Sequence, residues 1–377
     1  MNDACATNAS SPEQNQSMVR DETDVSWTAV LTRLGIALGV ALGFYAAIVR
    51  WLIDPYILNG SSAGRVAGVY DGYGFIQQHR SQHGDTNSLV LFWGSSMIRE
   101  GIDCAQLETA SPAVTAYNLA VSGDIPCRRL VELPRAKALN PQRVIIGVSY
   151  PEIFEDRLPF DDQISVLPAS AYASLPSAAL ELMDERFKAK ANRSEWEKFF
   201  WKRKFFTSAA FTKLGLSGRG DRVKTGHATE FKAPWVYDQG IEIGEMKRFL
   251  ARHQNSYPPY TGNQHTHPGQ SLAARSLVVL VKELEAQGAN VLLVNMPLHP
   301  LLNAVVPAQR REALRSFLQR LGSDKITFVD CQDRLSADHF VDLLHLNAQG
   351  RTAFTETVSH LLDSSGSANF TQANRAF

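Results

Sequence analysis

The chain is poor in cysteine, has no net charge and shows no internal repeat. Its four cysteines follow no spacing typical of zinc sites. The 38 basic and 38 acidic residues cancel, so bulk charge indicates neither a nucleic acid nor an anionic partner. His265 and His267 lack a cysteine or carboxylate pattern beside them, and the sequence therefore predicts no metal site and no cofactor. Cys104 and Cys127 are either a disulfide pair in an oxidising compartment or two separate buried thiols.

One long apolar run stands out between residues 27 and 53. Residues 34–49 carry no charge, and Trp27 and Trp51 flank them as aromatic residues do at a membrane interface. About 20 apolar residues span a bilayer core. The pattern favours a transmembrane anchor, with a cleaved signal peptide and a buried core helix as the alternatives.

Five further apolar runs read as short strands of a buried sheet. They are nearly continuous rather than alternating, which is typical of a parallel sheet covered on both faces. The predicted strands are Leu89–Trp93, Ala116–Val121, Val144–Val148, Val291–Val294 and Ile326–Val329. Helices are predicted over Ser271–Ala286, Pro307–Leu321 and Ala348–Leu362. This alternation predicts an α/β domain with a doubly wound, five-stranded parallel sheet.

The domain organisation follows from these elements. The predicted segments are a disordered tail (1–26), the anchor (27–53), a juxtamembrane connector (54–87), the α/β domain (88–362) with a helical insertion (151–270), and a second disordered tail (363–377). Within the insertion, aromatic and basic residues interleave from Glu195 to Phe206. That stretch is either a lid or lipid-facing helix, or a helix that packs its aromatics on the main domain.

Polar residues capable of chemistry follow every predicted strand. Because ligands collect at the carboxyl edge of such a sheet, these residues are expected to lie close together. They are Ser96, the segment Ser122-Gly123-Asp124, Ser149, Asn295, and the pair Asp342 and His345.

A carboxylate three residues before a histidine can hold the imidazole in one tautomer, with the other nitrogen directed at a nucleophile. Ser96, His345 and Asp342 thus form the minimal set for acyl transfer through a serine ester. Taken singly, Ser96 could be a helix-capping serine and His345 a structural histidine. Arg99 is a candidate substrate contact or a solvated helix residue, and Asp124 is a candidate substrate contact or a turn residue.

With these residues in place, the chain resembles the SGNH/GDSL hydrolase superfamily. Gly94-Ser95-Ser96 is similar to its first block, residues 118–124 to its second and Asp342-Leu343-Leu344-His345 to its last. The resemblance implies a flavodoxin-like fold, with Ser96 as nucleophile and the amides of Ser96 and Gly123 in the oxyanion hole.

The third block departs from the family. It normally supplies an asparagine that donates to the oxyanion, but here Ser149 stands nearest that place, and Asn295 on the next strand is the alternative donor. Losing such a donor typically costs about 2.7–4 kcal/mol of transition-state stabilisation.

The amino-terminal anchor makes the chain similar to the family's envelope-modifying branch, which includes D-alanyl-lipoteichoic acid biosynthesis protein D and the alginate O-acetylation proteins. The resemblance implies a single-pass inner-membrane protein with its hydrolase domain in the periplasm. The expected activity is that of a serine esterase or O-acyltransferase acting on an acylated envelope glycan or lipid, beside a membrane-bound O-acyltransferase. The alternatives are a catalytically inactive partner of such an acyltransferase, and a lipase.

Overall fold

The computed structural model describes residues 27–48, 62–154, 171, 175–182, 231–232, 240–253 and 267–364. The chain divides into two compact units, residues 1–52 and 53–377. The tail predicted over 1–26, the aromatic-basic stretch Glu195–Phe206 and the terminal residues 365–377 lie outside the described residues.

The first unit contributes helix α1, Trp27–Ile48. Its span from Trp27 to Tyr45 has a mean hydropathy of 1.6, and none of it is buried. Twenty-two residues of α-helix are about 33 Å long, enough to cross a hydrocarbon core. Leu31 and Phe44 are 63% and 68% exposed. Its length and composition fit a single membrane crossing.

The second unit is built on five parallel strands. They are β1 (Ser88–Trp93), β2 (Val114–Asn118), β3 (Arg143–Val148), β4 (Asn290–Asn295) and β5 (Ile326–Asp330). Their order in the sheet is β2-β1-β3-β4-β5, and every pairing is parallel. This is the order of flavodoxin-like sheets, in which the chain reverses direction across the sheet between β1 and β3.

Both faces of the sheet are buried, as the continuous apolar runs predicted. Along β1, Leu89, Leu91 and Trp93 enter one core cluster, while Val90 and Phe92 enter the other. All five side chains are fully buried. Each such side chain stabilises the fold by roughly 1.5–3 kcal/mol when removed from water.

Helices cover the two faces and connect the strands. They are α2 (Ser62–His83), α3 (Ser96–Gly101), α4 (Cys104–Ala110), α5 (Pro126–Ala138), α6 (Tyr150–Ile153), α7 (Ser177–Leu182), α8 (Ile243–His253), α9 (Leu272–Gln287), α10 (Pro300–Val305), α11 (Ala308–Arg320) and α12 (Ala348–Ser364). The three helices predicted from apolar spacing correspond to α9, α11 and α12, within one or two residues at each end.

Helix α2 corrects the connector predicted over residues 54–87. Val69, Tyr73 and Ile76 are buried in the core of the α/β domain, and the Tyr73 hydroxyl donates to Glu132 on α5. The folded domain therefore begins before residue 88. Apolar residues in α2 do not form a clean stripe, since glycine and tyrosine interrupt them, which is why the sequence pattern did not reveal the helix.

The second strand ends earlier than predicted. Leu119, Ala120 and Val121 are fully buried, yet they form a loop beyond Asn118. This loop stays beside β1, because Leu119 N–H donates to Phe92 O and Val121 N–H donates to Gly94 O. The apolar run thus contains the strand and also a buried loop at the carboxyl edge of the sheet.

The cysteine alternatives resolve in favour of separate thiols. Cys104 and Cys127 are both free and buried. Burial raises the pKa of each thiol above its usual value. Neither thiol is therefore a nucleophile in this structure.

Candidate active site

A tight turn after β1 presents Ser96 at the carboxyl edge of the sheet. Gly94 has φ +146°, and a Cβ there would lie 2.9 Å from both Gly147 O and Ile98 Cγ1. Ser95 caps α3, its hydroxyl accepting from Met97 N at 3.4 Å, so that Ser96 becomes the first residue of the helix. Glycine is needed at position 94 because any side chain would separate α3 from the sheet.

Helix α3 also packs closely against Gly147 on β3. A Cβ at that position would lie 2.1 Å from Cγ1 of Ile98 and 2.9 Å from Sδ of Met296. Ile98 is fully buried and is the third residue of α3. Because Gly147 has no side chain, α3 can pack against β3 at this point, and this packing positions Ser96.

Ser96, His345 and Asp342 form a continuous hydrogen-bond chain. Nε2 of His345 lies 2.8 Å from Oγ of Ser96, and Nδ1 of His345 lies 2.7 Å from Oδ2 of Asp342. The other carboxylate oxygen of Asp342 accepts from the amides of Leu344 and His345 at 2.7 and 2.8 Å. The three residues predicted from distant parts of the sequence thus meet with the geometry of a nucleophile, a base and the group that orients the base.

The surroundings of His345 and Asp342 favour the charged form of each side chain. Burial alone would lower the pKa of His345, but the hydrogen bond that His345 donates to Asp342 and the charge of Glu100 outweigh it, and the pKa is raised. Burial alone would raise the pKa of Asp342, but bonds from His345 and from backbone amides leave that pKa below its usual value. Asp342 is therefore an anion at neutral pH, and it increases the basicity of His345.

The loop that carries Asp342 and His345 is fixed from several sides. Val341 N–H donates to the carbonyl of His345, closing a tight turn, and Ile241 N–H donates to the carbonyl of Val341. His299 N–H donates to the carbonyl of Leu343. These backbone bonds hold His345 and Asp342 in place.

The two backbone amides expected to bind the oxyanion, those of Ser96 and Gly123, have no hydrogen-bond acceptor among the described residues. The Ser96 amide is at the start of α3, where N–H groups have no intrahelical acceptor. Gly123 has φ +64°, is exposed, and its N–H donates to no group within the described part of the chain. The loop of Gly123 is tied to the Ser96 turn, because Asn118 Nδ2 donates to the carbonyls of Ile98 and Arg99 on α3.

Ser149 does not serve as the side-chain donor of the oxyanion hole. It is 2% exposed and begins α6, where its amide donates to Oε2 of Glu152 at 2.9 Å. The hydroxyls of Ser149 and Ser95 also bond the Glu152 carboxylate, although burial raises the pKa of Glu152 to about 7. The spacing Ser149-x-x-Glu152 is a capping-box pattern, and that pattern in the sequence would have identified the partner.

Asn295 does not supply the missing donor either. Its amide nitrogen donates to Oδ1 of Asp330 at 2.8 Å and to Oε1 of Gln332 at 3.0 Å. Both amide hydrogens are thereby used, and the side chain is 1% exposed. Asn295 links the ends of β4 and β5 instead of facing the nucleophile.

Asp124, expected as a substrate contact, is instead a buried counter-ion. It is 3% exposed, and its two oxygens accept from Nε of Arg128 and Nε of Arg129. Both arginines also bind Glu132. Arg129 further donates to the carbonyl of Leu119 at 2.7 Å, so the network anchors the loop that carries Gly123.

Arg99 is neither a substrate contact nor a solvated residue in this structure. It is 4% exposed, and one of its terminal nitrogens lies 2.7 Å from Oε1 of Glu100. Glu100 is the residue that sequence reasoning missed. It lies one turn after Ser96 on α3, and its second oxygen is 3.8 Å from Nε2 of His345. The spacing of four residues from Ser96 was the available signal, since such residues share a helix face.

A groove of about 380 Å³ adjoins the loop that carries Asp342. Helix α8 forms one wall with Met246, Phe249 and Arg252, and Leu343 and Leu344 contribute to the other. Asp342 is at its edge, whereas Ser96 and His345 do not line it. The groove thus adjoins the acid of the hydrogen-bond chain rather than the nucleophile.

Part of the chain is similar to a known protein family. A model of an uncharacterised protein family matches residues 270–365. The matched part runs from α9 through α12 and includes Asp342 and His345, but it does not reach Ser96. No curated protein matches the chain.

Proposed function

We propose that this protein is a membrane-anchored serine esterase or O-acyltransferase that works through an acyl-serine intermediate. The observation that carries the proposal is the bridge made by His345, with Nε2 at 2.8 Å from Ser96 Oγ and Nδ1 at 2.7 Å from Asp342 Oδ2. Those distances fall within the reach that general-base activation of a hydroxyl requires.

The mechanism assigns one role to each group. His345 takes the Ser96 proton as Oγ attacks an ester or thioester carbonyl, and Asp342 stabilises the imidazolium. The amides of Ser96 and Gly123 donate to the oxyanion. His345 then gives its proton to the leaving group, and an acyl-serine remains. Water releases the acid as an esterase would, whereas a sugar hydroxyl receives the acyl group as in a transferase.

We further propose that the chain is an SGNH/GDSL-type hydrolase of the envelope-modifying branch. Support comes from the strand order β2-β1-β3-β4-β5 and from the three sequence blocks, each of which follows the strand that the family's order requires. Helix α1, with its exposed apolar surface, supports attachment to the inner membrane. On this proposal the catalytic domain faces the periplasm and an acylated glycan or lipid of the envelope is the substrate.

A second candidate function is favoured by one observation. Ser149 and Asn295 are both engaged elsewhere, which leaves the oxyanion with backbone donors alone among the residues considered. A missing side-chain donor lowers kcat by roughly 10²–10³. A protein with so weak a site could serve chiefly as a binding partner of a membrane-bound O-acyltransferase.

Ester hydrolysis by the full-length protein in detergent separates the two functions. An acetyl aryl ester should be hydrolysed by the wild type and by Ser81→Ala, which alters an exposed serine on α2, but not by Ser96→Ala. Addition of a sugar acceptor should raise turnover if the enzyme is a transferase. Equal background rates in all three proteins would instead favour the binding partner.

A further inference from the structure

Glu100 occupies a position that the roles of Ser96, His345 and Asp342 do not explain. It is 1% exposed, and its Oε2 is 3.8 Å from Nε2 of His345, the same nitrogen that faces Ser96. That distance exceeds a hydrogen bond, so Nε2 remains directed at the serine hydroxyl. A buried carboxylate nevertheless acts strongly on a charge this close, because little water screens the pair.

A purely structural role for Glu100, as counter-ion of Arg99, explains the position of only one of its two carboxylate oxygens. Arg99 binds Oε1 of Glu100 at 2.7 Å. Oε2 has no hydrogen-bond partner among the described residues and is buried. A carboxylate that only neutralised a guanidinium would be expected to present both oxygens to it, in the bidentate geometry typical of such pairs. Here the second oxygen faces the imidazole.

Other charged and titratable groups surround this pair. Asp342 acts on the opposite side of the ring through Nδ1, and His299 lies near Asp342, whose charge acts on it. Arg351 on α12 donates to the backbone carbonyl of Glu100, which fixes the end of α3. Arg99 opposes the effect of Glu100 on His345, because its positive charge disfavours the imidazolium.

We infer that Glu100 is a positioning residue for the proposed acyl transfer: its carboxylate stabilises the His345 imidazolium that forms when Ser96 gives up its proton. This inference rests on the proposed function for its catalytic meaning. No additional reactant is needed, because the proton moves from Ser96 Oγ to His345 Nε2 and later to the leaving oxygen. Burial raises the pKa of Glu100 itself, while the charges of His345 and Arg99 act to lower it. In its ionised form Glu100 makes His345 a stronger base than Asp342 would alone.

Titration of the His345 ring by NMR tests the inference without requiring turnover. The full-length protein in detergent, with labelled histidine, is compared with Glu100→Gln, and His345→Gln assigns the signal. The glutamine variant retains an acceptor for Arg99 but removes the negative charge. Its His345 pKa should fall by about one unit, since a neighbouring opposite charge contributes one to three and Arg99 offsets part of it.

Two further variants separate a local effect from a general one. Arg99→Met removes the opposing charge and should raise the His345 pKa. Glu108→Gln makes the same chemical change on α4, where Glu108 forms an ion pair with Lys232. This variant should leave the His345 titration unchanged. Thermal unfolding identifies any variant that fails to fold. If Glu100→Gln fails, Glu100→Asp is measured instead; it keeps the negative charge and should preserve the wild-type pKa of His345.

The pH dependence of ester hydrolysis should shift in the same direction as the pKa of His345. In Glu100→Gln the acidic limb of the kcat/KM profile should move to lower pH, kcat on the plateau should fall by up to about tenfold because the base is weaker, and KM should be unchanged. A His345 pKa in Glu100→Gln equal to that of the wild type would overturn the inference. An inactive wild type that still shows the shifted titration would contradict the proposed function alone.

Discussion

The Nε2 atom of His345 lies 2.8 Å from the Oγ atom of Ser96, although 249 residues separate the two in the sequence. The serine is supplied by the turn after the first strand, and the histidine by a loop after the last. Because both strands run parallel in one sheet, their carboxyl ends lie along the same edge, and the fold itself brings the two side chains together.

If the proposed function is right, Asp342→Asn should abolish ester hydrolysis while the fold is retained. Asparagine can still accept from the amides of Leu344 and His345, but its NH₂ group cannot accept the Nδ1 proton of His345, so the ring is held in the wrong tautomer. In a serine triad this change lowers kcat by about 10⁴. Ester hydrolysis and thermal unfolding are measured beside Asp324→Asn, which changes an exposed aspartate. A variant with more than a tenth of wild-type kcat would show that Asp342 does not orient the base.

Gly147→Ala should displace α3. Its new Cβ would lie 2.1 Å from Cγ1 of Ile98, and such overpacking costs roughly 1–3 kcal/mol of unfolding free energy. Ile98→Ala removes the clashing atoms, so the double variant should be less destabilised than the sum of the two single variants. Chemical denaturation of all four proteins gives the coupling energy. Strict additivity would mean that the two side chains do not compete for this space.

Asp124→Asn should destabilise the protein severely rather than weaken substrate binding. The change leaves Arg128 and Arg129 with one buried carboxylate, Glu132, in place of two. Removing one partner of a buried pair typically costs about 3–5 kcal/mol of unfolding free energy. Asp324→Asn, at an exposed site, should be close to wild type in the same denaturation experiment. Normal stability with a raised KM would restore the substrate-binding role expected from the sequence.

Glu152 should make the fold more stable in mild acid. Burial raises its pKa from 4.5 to about 7 in the folded protein, so the folded state holds this proton where the unfolded state has released it. The contribution to stability is complete below pH 4.5 and is lost as the pH rises to about 7, with a slope of up to about 1.4 kcal/mol per pH unit.

Glu152→Gln should remove that slope. The difference in unfolding free energy between variant and wild type, measured from pH 4.5 to 8, isolates Glu152 from the other titrating groups. Glu356→Gln, at an exposed position on α12, is the matched control and should follow the wild type at every pH. Parallel curves for wild type and Glu152→Gln would show that this carboxyl has an ordinary pKa.

The sequence was sufficient for the parts of the site that depend on local order. The five apolar runs located the strands, and the residues directly after them lie at one edge of the sheet. Asp342 and His345 could be paired because a spacing of three residues already brings a carboxylate to an imidazole.

Long-range pairing explains what the sequence did not reveal. Whether Arg99 and Asp124 face solvent depends on Glu100, Arg128 and Arg129, and no hydrophobic pattern predicts a buried charge. Asn295 has the side chain that an oxyanion donor needs, but its amide hydrogens are taken by groups at the end of β5. The direction of a side chain at a strand end is set by such partners, which only the folded chain brings together.

Reaction of the full-length protein with a fluorophosphonate tests the central claim most directly, since this probe phosphonylates an activated serine. Mass spectrometry should locate one adduct on the peptide that contains Ser96. The adduct should be absent in Ser96→Ala, form far more slowly in His345→Gln, and form normally in Ser81→Ala and in His360→Gln, both changed at exposed positions. No adduct in the wild type, or the same adduct in Ser96→Ala, would contradict the assignment of Ser96 as the nucleophile.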